Sequence, residues 1–489
     1  MLFNSHIFIL LFLPLLLAGW YFLNWKKKFQ LAQGYLIGMS LWFYAYANLQ
    51  YLWLLLFSCL IGWLLSCLPE KISSEKGKKV LTGVGCVFHL GLLGYFKYSN
   101  FFLENLNTVF HTDFPMLQIL LPVGISFYTF QQLAYLIDRC RGDAPRDSFF
   151  DYLTFMVYFP QLLQGPILLR SEFMGQLKEP ERRRFHAERF SEGIQFFVFG
   201  LAKKVLLADT LAKAVNYGYS NVSMLDSISA LLLAVGYLTE LYFDFSGYCD
   251  MAVGLGKMIG LEVAENFDAP FHSASVKEFW RRWHMTLGRF FTRYVYIPLG
   301  GNRRGKMRTL CNVMIVMLLS GLWHGAAWTF VLWGFLHGVG MIWDNLEHPH
   351  LPKKWMRQAA TFAYVCMTFV FFRAESIAQG VDVLRSIVSL KWNGFVFQMA
   401  SALDMTEFYM ITKALSMKLP GLLSWFWLGI FVVLIAICVR VLSGEKVSDV
   451  VALQKQKGYG RLYPVLLAVL FTWSMISMTG VSEYLYFSF

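Results

Sequence analysis

Long apolar runs alternate with short polar segments over almost the whole chain. Each run approaches the about 20 residues with which a helix crosses a bilayer while satisfying its own backbone hydrogen bonds. The runs are continuous, whereas a membrane β-barrel needs short strands of alternating polarity. We therefore predict an all-α polytopic membrane protein. The predicted spans are 5–24, 31–48, 50–68, 80–98, 117–138, 193–216, 226–245, 309–323, 326–345, 357–373, 422–441 and 462–479.

Two further segments depart from this simple pattern. The apolar stretch 150–169 contains Pro160, Gly165 and Pro166, and a strongly basic loop follows it, so we predict a re-entrant segment. Broken backbone at membrane depth survives only where protein or a water-filled cavity covers it, so an internal cavity is expected. Residues 262–308 are too charged to cross, and we expect short amphipathic helices at the cytoplasmic interface. The chain is predicted to form one domain, 1–489, of about eleven to thirteen membrane segments.

Composition agrees with a membrane protein. Of the 489 residues, 57% are hydrophobic and 15% charged, whereas a soluble domain carries about a quarter charged residues. The formal net charge of +12 resides in short loops between apolar runs, a distribution that sets orientation in a membrane rather than one that binds nucleic acid. This charge distribution predicts that both termini lie on the outer side of the membrane. Lys26 to Lys28 follow the first apolar run, which favours a retained helix over a cleaved signal peptide.

Cysteine and histidine spacing gives no metal signature. The eight cysteines are scattered without a CxxC pair, so they are interpreted as small apolar packing residues. Most histidines are widely spaced and none forms an HxxxH-type ligand pair, so no metal site is predicted.

Two histidines stand apart from the others, because an ionisable group at membrane depth is a functional hypothesis by default. His324 lies in SGLWHGAAW, between two predicted helices, and His284 lies in EFWRRWHMTLGRF. A neutral imidazole can accept a proton from a hydroxyl, as acyl transfer from a thioester to an alcohol requires. His324 is thus either a general base or a core histidine bonded to a neighbour. His284 is a second base, an oxyanion donor, an orienting group or a histidine at headgroup level.

A third polar element is YFDFSGYCDMAVGLG, residues 242–256. Asp244 and Asp250 lie at or near the end of the predicted span 226–245. They either line the cavity, pair with an arginine, or belong to an ordinary polar helix end.

Seven segments together resemble the membrane-bound O-acyltransferase superfamily. Its closest branch acetylates alginate and similar exopolysaccharides or peptidoglycan, and a sister branch transfers D-alanyl groups to teichoic acids. Single motifs would be weak evidence, but here all seven occur in the family's order. They are LPVGISFYTFQQLAYLID (121–138), YFPQLLQGPI (158–167), YFDFSGYCDMAVG (242–254), FWRRWHMTLGRFF (279–291), YIPLGGNRRG (296–305), LWHG (322–325) and VFFRAES (370–376).

The resemblance implies a fold and a reaction. His324 matches the histidine to which the family assigns catalysis, and His284 matches its second important histidine. The expected fold is a ring of helices around a central funnel in the bacterial cytoplasmic membrane, where an inner thioester donor meets an outer acceptor. For the acetylating branch the donor is acetyl-CoA, with no bound cofactor. The residues predicted to line the funnel are Asp244, Ser246, Asp250, Gln161, Trp323 and Asn312.

The chain ends in VSEYLYFSF, which resembles the C-terminal tyrosine motif of polymer-acylating systems. By position Tyr486 is the expected acyl relay and Tyr484 the alternate, because a phenyl ester is reactive enough to pass the group onward. The alternative is an interfacial aromatic anchor. A sizeable outer domain is not evident, so the analogy implies a partner, an SGNH-hydrolase-like transferase that modifies an envelope polysaccharide.

Two other classes of function compete with the acyltransferase. A transporter or flippase would also explain polar groups within the membrane, but such proteins often contain inverted repeats, and the sequence has no evident repeat. A non-catalytic scaffold is the other alternative. The sequence does not name the polymer, and only the likeness to one branch favours acetyl over D-alanyl.

Overall fold

The computed structural model describes residues 1–346, 352–442, 444, 446–458, 460–478 and 485, with the side chains of 47 and 48 left out. Every regular element in these residues is helical, which confirms the all-α prediction. The α-helices are α1 (Leu13–Trp25), α2 (Phe29–Cys67), α3 (Glu75–Leu93), α4 (Ser99–Phe110), α5 (Ile125–Arg141), α6 (Phe149–Val157), α7 (Phe159–Leu162), α8 (Arg170–Lys178), α9 (Ala187–Ala202), α10 (Asp209–Ser220), α11 (Ser227–Ile259), α12 (Val276–Arg282), α13 (Met285–Phe291), α14 (Lys306–His324), α15 (Trp328–Asn345), α16 (Lys354–Arg373), α17 (Ile377–Val388), α18 (Phe395–Ser401), α19 (Tyr409–Lys418), α20 (Pro420–Leu442), α21 (Val447–Lys457) and α22 (Leu462–Ser477).

Short π and 3₁₀ segments complete the helical framework. The π segments are Phe8–Phe12, Gly94–Tyr98, Lys203–Ala208 and Thr292–Tyr296. The 3₁₀ segments are Pro69–Lys71, Pro180–Arg183, Val222–Met224, Pro270–His272 and Thr406–Phe408. The π segment Lys203–Ala208 joins α9 to α10 without a loop. Such π turns occur frequently at functional sites.

Six of the described helical segments are long and apolar enough to cross a membrane. The protein is therefore a multi-pass helical membrane protein. These segments are Phe8–Trp25, Leu49–Lys71, Glu75–Phe110, Ser227–Ile259, Lys306–His324 and Pro420–Leu442.

Three predicted boundaries were wrong. The predicted break near 48–51 is absent, because this stretch has neither Gly nor Pro and α2 runs through it. The span predicted from 117 starts only at Ile125, since Pro115 and Pro122 disfavour helix before them and Gly124 has a φ of 79°. The span predicted to end at 245 continues to Ile259, so Asp244 and Asp250 lie inside α11 rather than at its end.

The chain divides into two compact units. Unit 1 comprises Met1–Val198, Tyr248–Asn266 and Thr286–Leu299, and unit 2 comprises Phe199–Gly247, Phe267–Met285 and Gly300–Phe489. No observation tests the expectation that the chain forms one domain, which stays a prediction.

Unit 1 contains the predicted break in the stretch 150–169. Helix α6 ends at Val157, α7 starts at Phe159, and the turn after α7 brings Gly165 against Pro160. A Cβ added at Gly165 would lie 2.0 Å from the Pro160 carbonyl oxygen, so only glycine permits this approach. The amide of Phe159 donates to Ser40 Oγ at 3.3 Å, which satisfies one group released by the break. The broken helix is thus confirmed.

Unit 2 contains the helical hairpin α14–α15, whose two backbones lie unusually close together. A Cβ added at Gly321 would lie 2.3 Å from the Phe330 carbonyl oxygen, and one at Gly334 would lie 2.5 Å from that of Met317. Small residues allow this close packing of membrane helices, where side-chain contact rather than the hydrophobic effect drives association. The hairpin therefore holds its turn, residues 325–327, in a defined position.

Candidate active site

His324 is the last residue of α14, at the turn of the α14–α15 hairpin in unit 2. The next residue, Gly325, is in an extended conformation, and a Cβ added there would lie 2.1 Å from the Phe330 ring. A side chain at position 325 would displace this ring, so glycine is favoured at the turn. The close helix packing described above fixes the direction of the His324 side chain.

Aromatic rings surround His324, which is 4% exposed. The centroids of Trp323, Trp333 and Phe372 lie 4.9, 5.1 and 5.1 Å from the His324 ring, each in an edge-to-face arrangement. We call these three rings the aromatic cage. Edge-to-face contacts combine packing with a favourable alignment of ring quadrupoles. The cage holds the imidazole in one orientation and excludes bulk water from it.

His284 lies between α12 and α13 and has a φ of 45°, in the left-handed region that non-glycine residues seldom adopt. Backbone strain of this kind is retained mainly where function requires a particular side-chain position. The His284 ring lies 6.5 Å from the His324 ring, 6.0 Å from Trp323 and 4.7 Å from Phe245. One small group placed between the two histidines would contact both.

His284 is 1% exposed and lies outside the six candidate spans. Burial disfavours the charged imidazolium and lowers the pKa of His284 from 6.5 to about 3. The ring is therefore neutral at pH 7. A neutral imidazole carries one donor and one acceptor nitrogen, so His284 can serve either role beside His324.

A polar cavity of about 770 Å³ lies beside the aromatic cage, within unit 2. Phe372 belongs to both, since its ring packs on His324 and the residue is also part of the cavity lining. His324 itself is not among the residues that line the cavity. The charged residues of the lining are Lys204, Asp209, Glu240, Asp244, Arg373 and Glu375.

A buried ion-pair network forms one wall of this cavity. Lys204 Nζ lies 2.6 Å from Asp244 Oδ1 and 2.8 Å from Asp209 Oδ1. Its side chain and that of Asp244 are almost completely buried. The second oxygen of Asp244 accepts a hydrogen bond of 3.1 Å from the backbone N–H of Leu485. A residue of the C-terminal segment therefore reaches the cavity and contacts this network.

The structure brings together only part of the residues predicted for the site. His284, His324 and Trp323 form one cluster, and Asp244 lines the neighbouring cavity. Ser246 is buried in the same unit, and no described residue forms a hydrogen bond with its Oγ.

The other predicted residues have different positions. Asn312 is buried and donates to the Gly301 carbonyl oxygen at 2.9 Å, which ties the loop before α14 to that helix. Gln161 and Asp250 belong to unit 1, and Gln161 donates to the Phe155 carbonyl oxygen. Tyr486 and Tyr484 lie outside the described residues. The roles predicted for all these residues stay predictions.

Sequence reasoning missed Lys204, Glu240 and Phe372. Lys204 and Glu240 stand in the apolar runs FGLAKKVLLAD and LLLAVGYLTELYF, and a charge in such a run is a functional signal that could have identified both. Phe372 had no such signal, because one more aromatic residue in an apolar helix is indistinguishable from packing.

Among the residues that the structure describes, no three or more His, Cys, Asp or Glu side chains form a group that would hold a metal ion. The structure thus places two buried imidazoles, His284 and His324, close to a cavity lined by residues of both charges. These features define the class: a helical membrane protein with a buried histidine pair beside a polar cavity.

Comparisons with known proteins identify the family. The model of the membrane-bound O-acyltransferase family matches residues 144–379. The peptidoglycan O-acetyltransferase of Helicobacter pylori is 35% identical over 423 residues, 80% of each chain. A protein named as probable alginate O-acetylase AlgI, of Azotobacter vinelandii, is 39% identical over 389 residues, 77% of this chain and 76% of its own.

The teichoic acid D-alanyltransferase of Streptococcus thermophilus is 28% identical over 253 residues, 49% of this chain and 58% of its own. The chain belongs to the membrane-bound O-acyltransferase family. The resemblance predicted from the seven segments is thus confirmed, and the protein is an O-acyltransferase.

Proposed function

We propose that the protein transfers acetyl from acetyl-CoA to a cell-envelope polysaccharide in a bacterial cytoplasmic membrane. The relatives named for O-acetylation of peptidoglycan and alginate match over more than three quarters of the chain. The D-alanyltransferase matches over about half of it and at lower identity. This difference favours acetyl over D-alanyl. The observation that carries the chemical proposal is the pair of caged imidazoles, His284 and His324, beside the polar cavity.

The proposed reaction uses His324 as the general base. Its neutral ring accepts the proton of the acceptor hydroxyl while the hydroxyl oxygen attacks the thioester carbonyl. The carbon–sulfur bond then breaks, the acyl group remains on the acceptor oxygen, and the protonated His324 returns the proton to the departing thiolate. His284 donates a hydrogen bond to the oxyanion that develops on the carbonyl. The dry aromatic surroundings strengthen that hydrogen bond relative to its value in water.

The proposed first acceptor is the phenol of Tyr486. The hydrogen bond from Leu485 to Asp244 supports this assignment, because Tyr486 follows directly in the sequence and the cavity adjoins the aromatic cage. Phe372 contacts His324 and lines the cavity, so the proposed path requires its side chain to move before the hydroxyl reaches the imidazole. The acyl-tyrosine then passes its group to the serine of an SGNH-hydrolase-like partner on the outer side, which modifies the polysaccharide.

Replacement of one histidine tests this proposal. In proteoliposomes that contain the purified chain, His324→Ala should lower acetyl transfer from radiolabelled acetyl-CoA by about 10²–10⁴-fold, the contribution of a general base. His186→Ala is the matched control, because His186 is exposed in a surface loop and should leave the rate unchanged. A folded His324→Ala protein that retained the wild-type rate would show that another group acts as the base.

The identity of the acyl group needs a separate measurement. Wild-type protein is given either labelled acetyl-CoA or labelled D-alanyl thioester on a carrier protein. Label transferred from acetyl-CoA alone supports the proposal, whereas label transferred only from the carrier assigns the protein to D-alanyl transfer.

A further inference from the structure

Glu240 is a buried carboxyl group in the wall of the polar cavity. It lies in α11, is 2% exposed and lines the cavity together with Asp244, one helical turn further along. Residues four apart lie on the same face of a helix, so both carboxyl groups face the same side. No described residue forms a hydrogen bond with the buried Oε2 atom of Glu240.

A buried carboxyl group without a hydrogen bond is unfavourable by several kcal/mol in an apolar setting, and proteins seldom retain one without a reason. The cations of the cavity already bind other groups. Lys204 contacts Asp209 and Asp244. Arg373 donates to Asn216 at 3.0 Å and lies over the Tyr219 ring at 5.0 Å. Glu240 is therefore placed to receive a donor that enters the cavity from outside the network.

The surrounding charges restrict the chemistry of that donor. A phosphodiester or carbonyl group has no hydrogen to donate. An ammonium group would lie near Lys204 and Arg373, which line the same cavity and would repel it. A neutral hydroxyl group donates one hydrogen bond without this repulsion. The hydroxyl is also the group that an O-acyltransferase must position.

We propose that Glu240 is the hydroxyl-binding residue of an acceptor subsite in the polar cavity. It accepts a hydrogen bond from the acceptor hydroxyl and orients it, while the proton transfer itself stays with the histidine pair. This inference rests on the proposed function in taking an alcohol or phenol as the acceptor. The hydroxyl has two sources of equal chemistry: the tyrosines of the C-terminal segment, which approaches the cavity at Leu485, or an external alcohol.

The kinetic test uses the full chain in proteoliposomes with labelled acetyl-CoA. N-acetyl-L-tyrosinamide represents the phenol, and N-acetyl-L-serinamide represents the alkyl alcohol. Glu240→Leu removes both oxygen atoms, and Glu240→Gln keeps one of them. The KM for the bound probe should rise at least about 10-fold in Glu240→Leu and less in Glu240→Gln, as expected for loss of a hydrogen bond at a buried group.

The control is Asp382→Asn, an exposed carboxylate on α17 whose loss should leave both KM values unchanged. A rise in KM that is confined to one of the two probes identifies the source of the hydroxyl. Unchanged KM values for both probes in Glu240→Leu, with an active wild-type protein, would overturn the inference and leave the proposed function standing.

A stability measurement tests Glu240 without any catalysis. Thermal unfolding of Glu240→Gln, of the Tyr484→Phe/Tyr486→Phe double variant and of their combination forms a double-mutant cycle. Non-additive effects support binding of a tail hydroxyl by Glu240, and additive effects with raised KM support an external alcohol. Marked destabilisation by Glu240→Gln together with additive effects in the cycle would reveal a partner elsewhere in the fold and overturn the inference. If the wild-type protein transfers no acetyl, the proposed function fails. The double-mutant cycle then tests the role of Glu240 by itself, and additive effects overturn the inference.

Discussion

Replacement of Lys204 by methionine should be strongly destabilising. Lys204 Nζ lies 2.6 Å from Asp244 and 2.8 Å from Asp209, and its side chain is 2% exposed. Methionine matches much of the apolar stem but leaves two carboxylates without their cation, one of them fully buried. Removal of one member of a buried ion pair typically costs about 3–5 kcal/mol, because the remaining charge is uncompensated. We expect a loss of this size in the free energy of unfolding.

Thermal and denaturant unfolding of the purified chain in detergent, followed by tryptophan fluorescence, measures this loss. Arg385→Met is the matched control, since Arg385 pairs with Asp382 on an exposed helix face and should change stability by less than about 1 kcal/mol. Combination of Lys204→Met with neutral Asn at 209 and 244 should recover most of the lost stability. A Lys204→Met protein with the wild-type free energy of unfolding would refute the assignment of a buried ion-pair network. A triple variant no more stable than Lys204→Met would refute it as well.

Three further predictions concern the relay, the hairpin and the aromatic cage. Tyr486→Phe should abolish acyl label on the C-terminal segment and lower the yield of modified polymer, as measured by mass spectrometry; an unchanged yield would leave the segment as a membrane anchor. Gly334→Leu should destabilise the fold by more than about 1–3 kcal/mol in thermal unfolding, because its Cβ would lie 2.5 Å from the Met317 carbonyl oxygen. Phe372→Ala should speed acetyl-CoA hydrolysis several-fold by admitting water to His324, and an unchanged hydrolysis rate would argue against Phe372 as the barrier.

Several elements of the fold follow from local physical rules. The helical class follows from apolar run length, and the break after Val157 follows from Pro160, which cannot continue a preceding helix. Boundaries were less predictable. Helix α2 passes through the polar residues near position 50, where only neighbouring structure distinguishes a loop from a continuous helix. Asp244 was misplaced for a similar reason, because a polar residue in a long helix resembles a helix end until its buried partner is known.

The candidate site, like the fold, could be predicted from the sequence only in part. His324 was identifiable because an imidazole in an apolar segment is costly unless it serves a purpose, and His284 was identifiable from its match to the family motif. Their separation of 6.5 Å, however, joins segments 40 residues apart in sequence. Lys204 and Glu240 carried the same signal of a charge in an apolar run. Their pairing state depends on which helix faces packed against them, and no local pattern specifies that.

The sequence alone determined that this protein is a helical membrane protein of the membrane-bound O-acyltransferase family, because run length, loop charge and motif order are local properties of the chain. Only the tertiary structure decided that Phe372 contacts His324 and also lines the cavity, and that Lys204 pairs with Asp244 while no described residue forms a hydrogen bond with Glu240 Oε2. These facts depend on distances between segments remote in sequence. Side-chain packing sets such distances, and packing is a property of the whole fold.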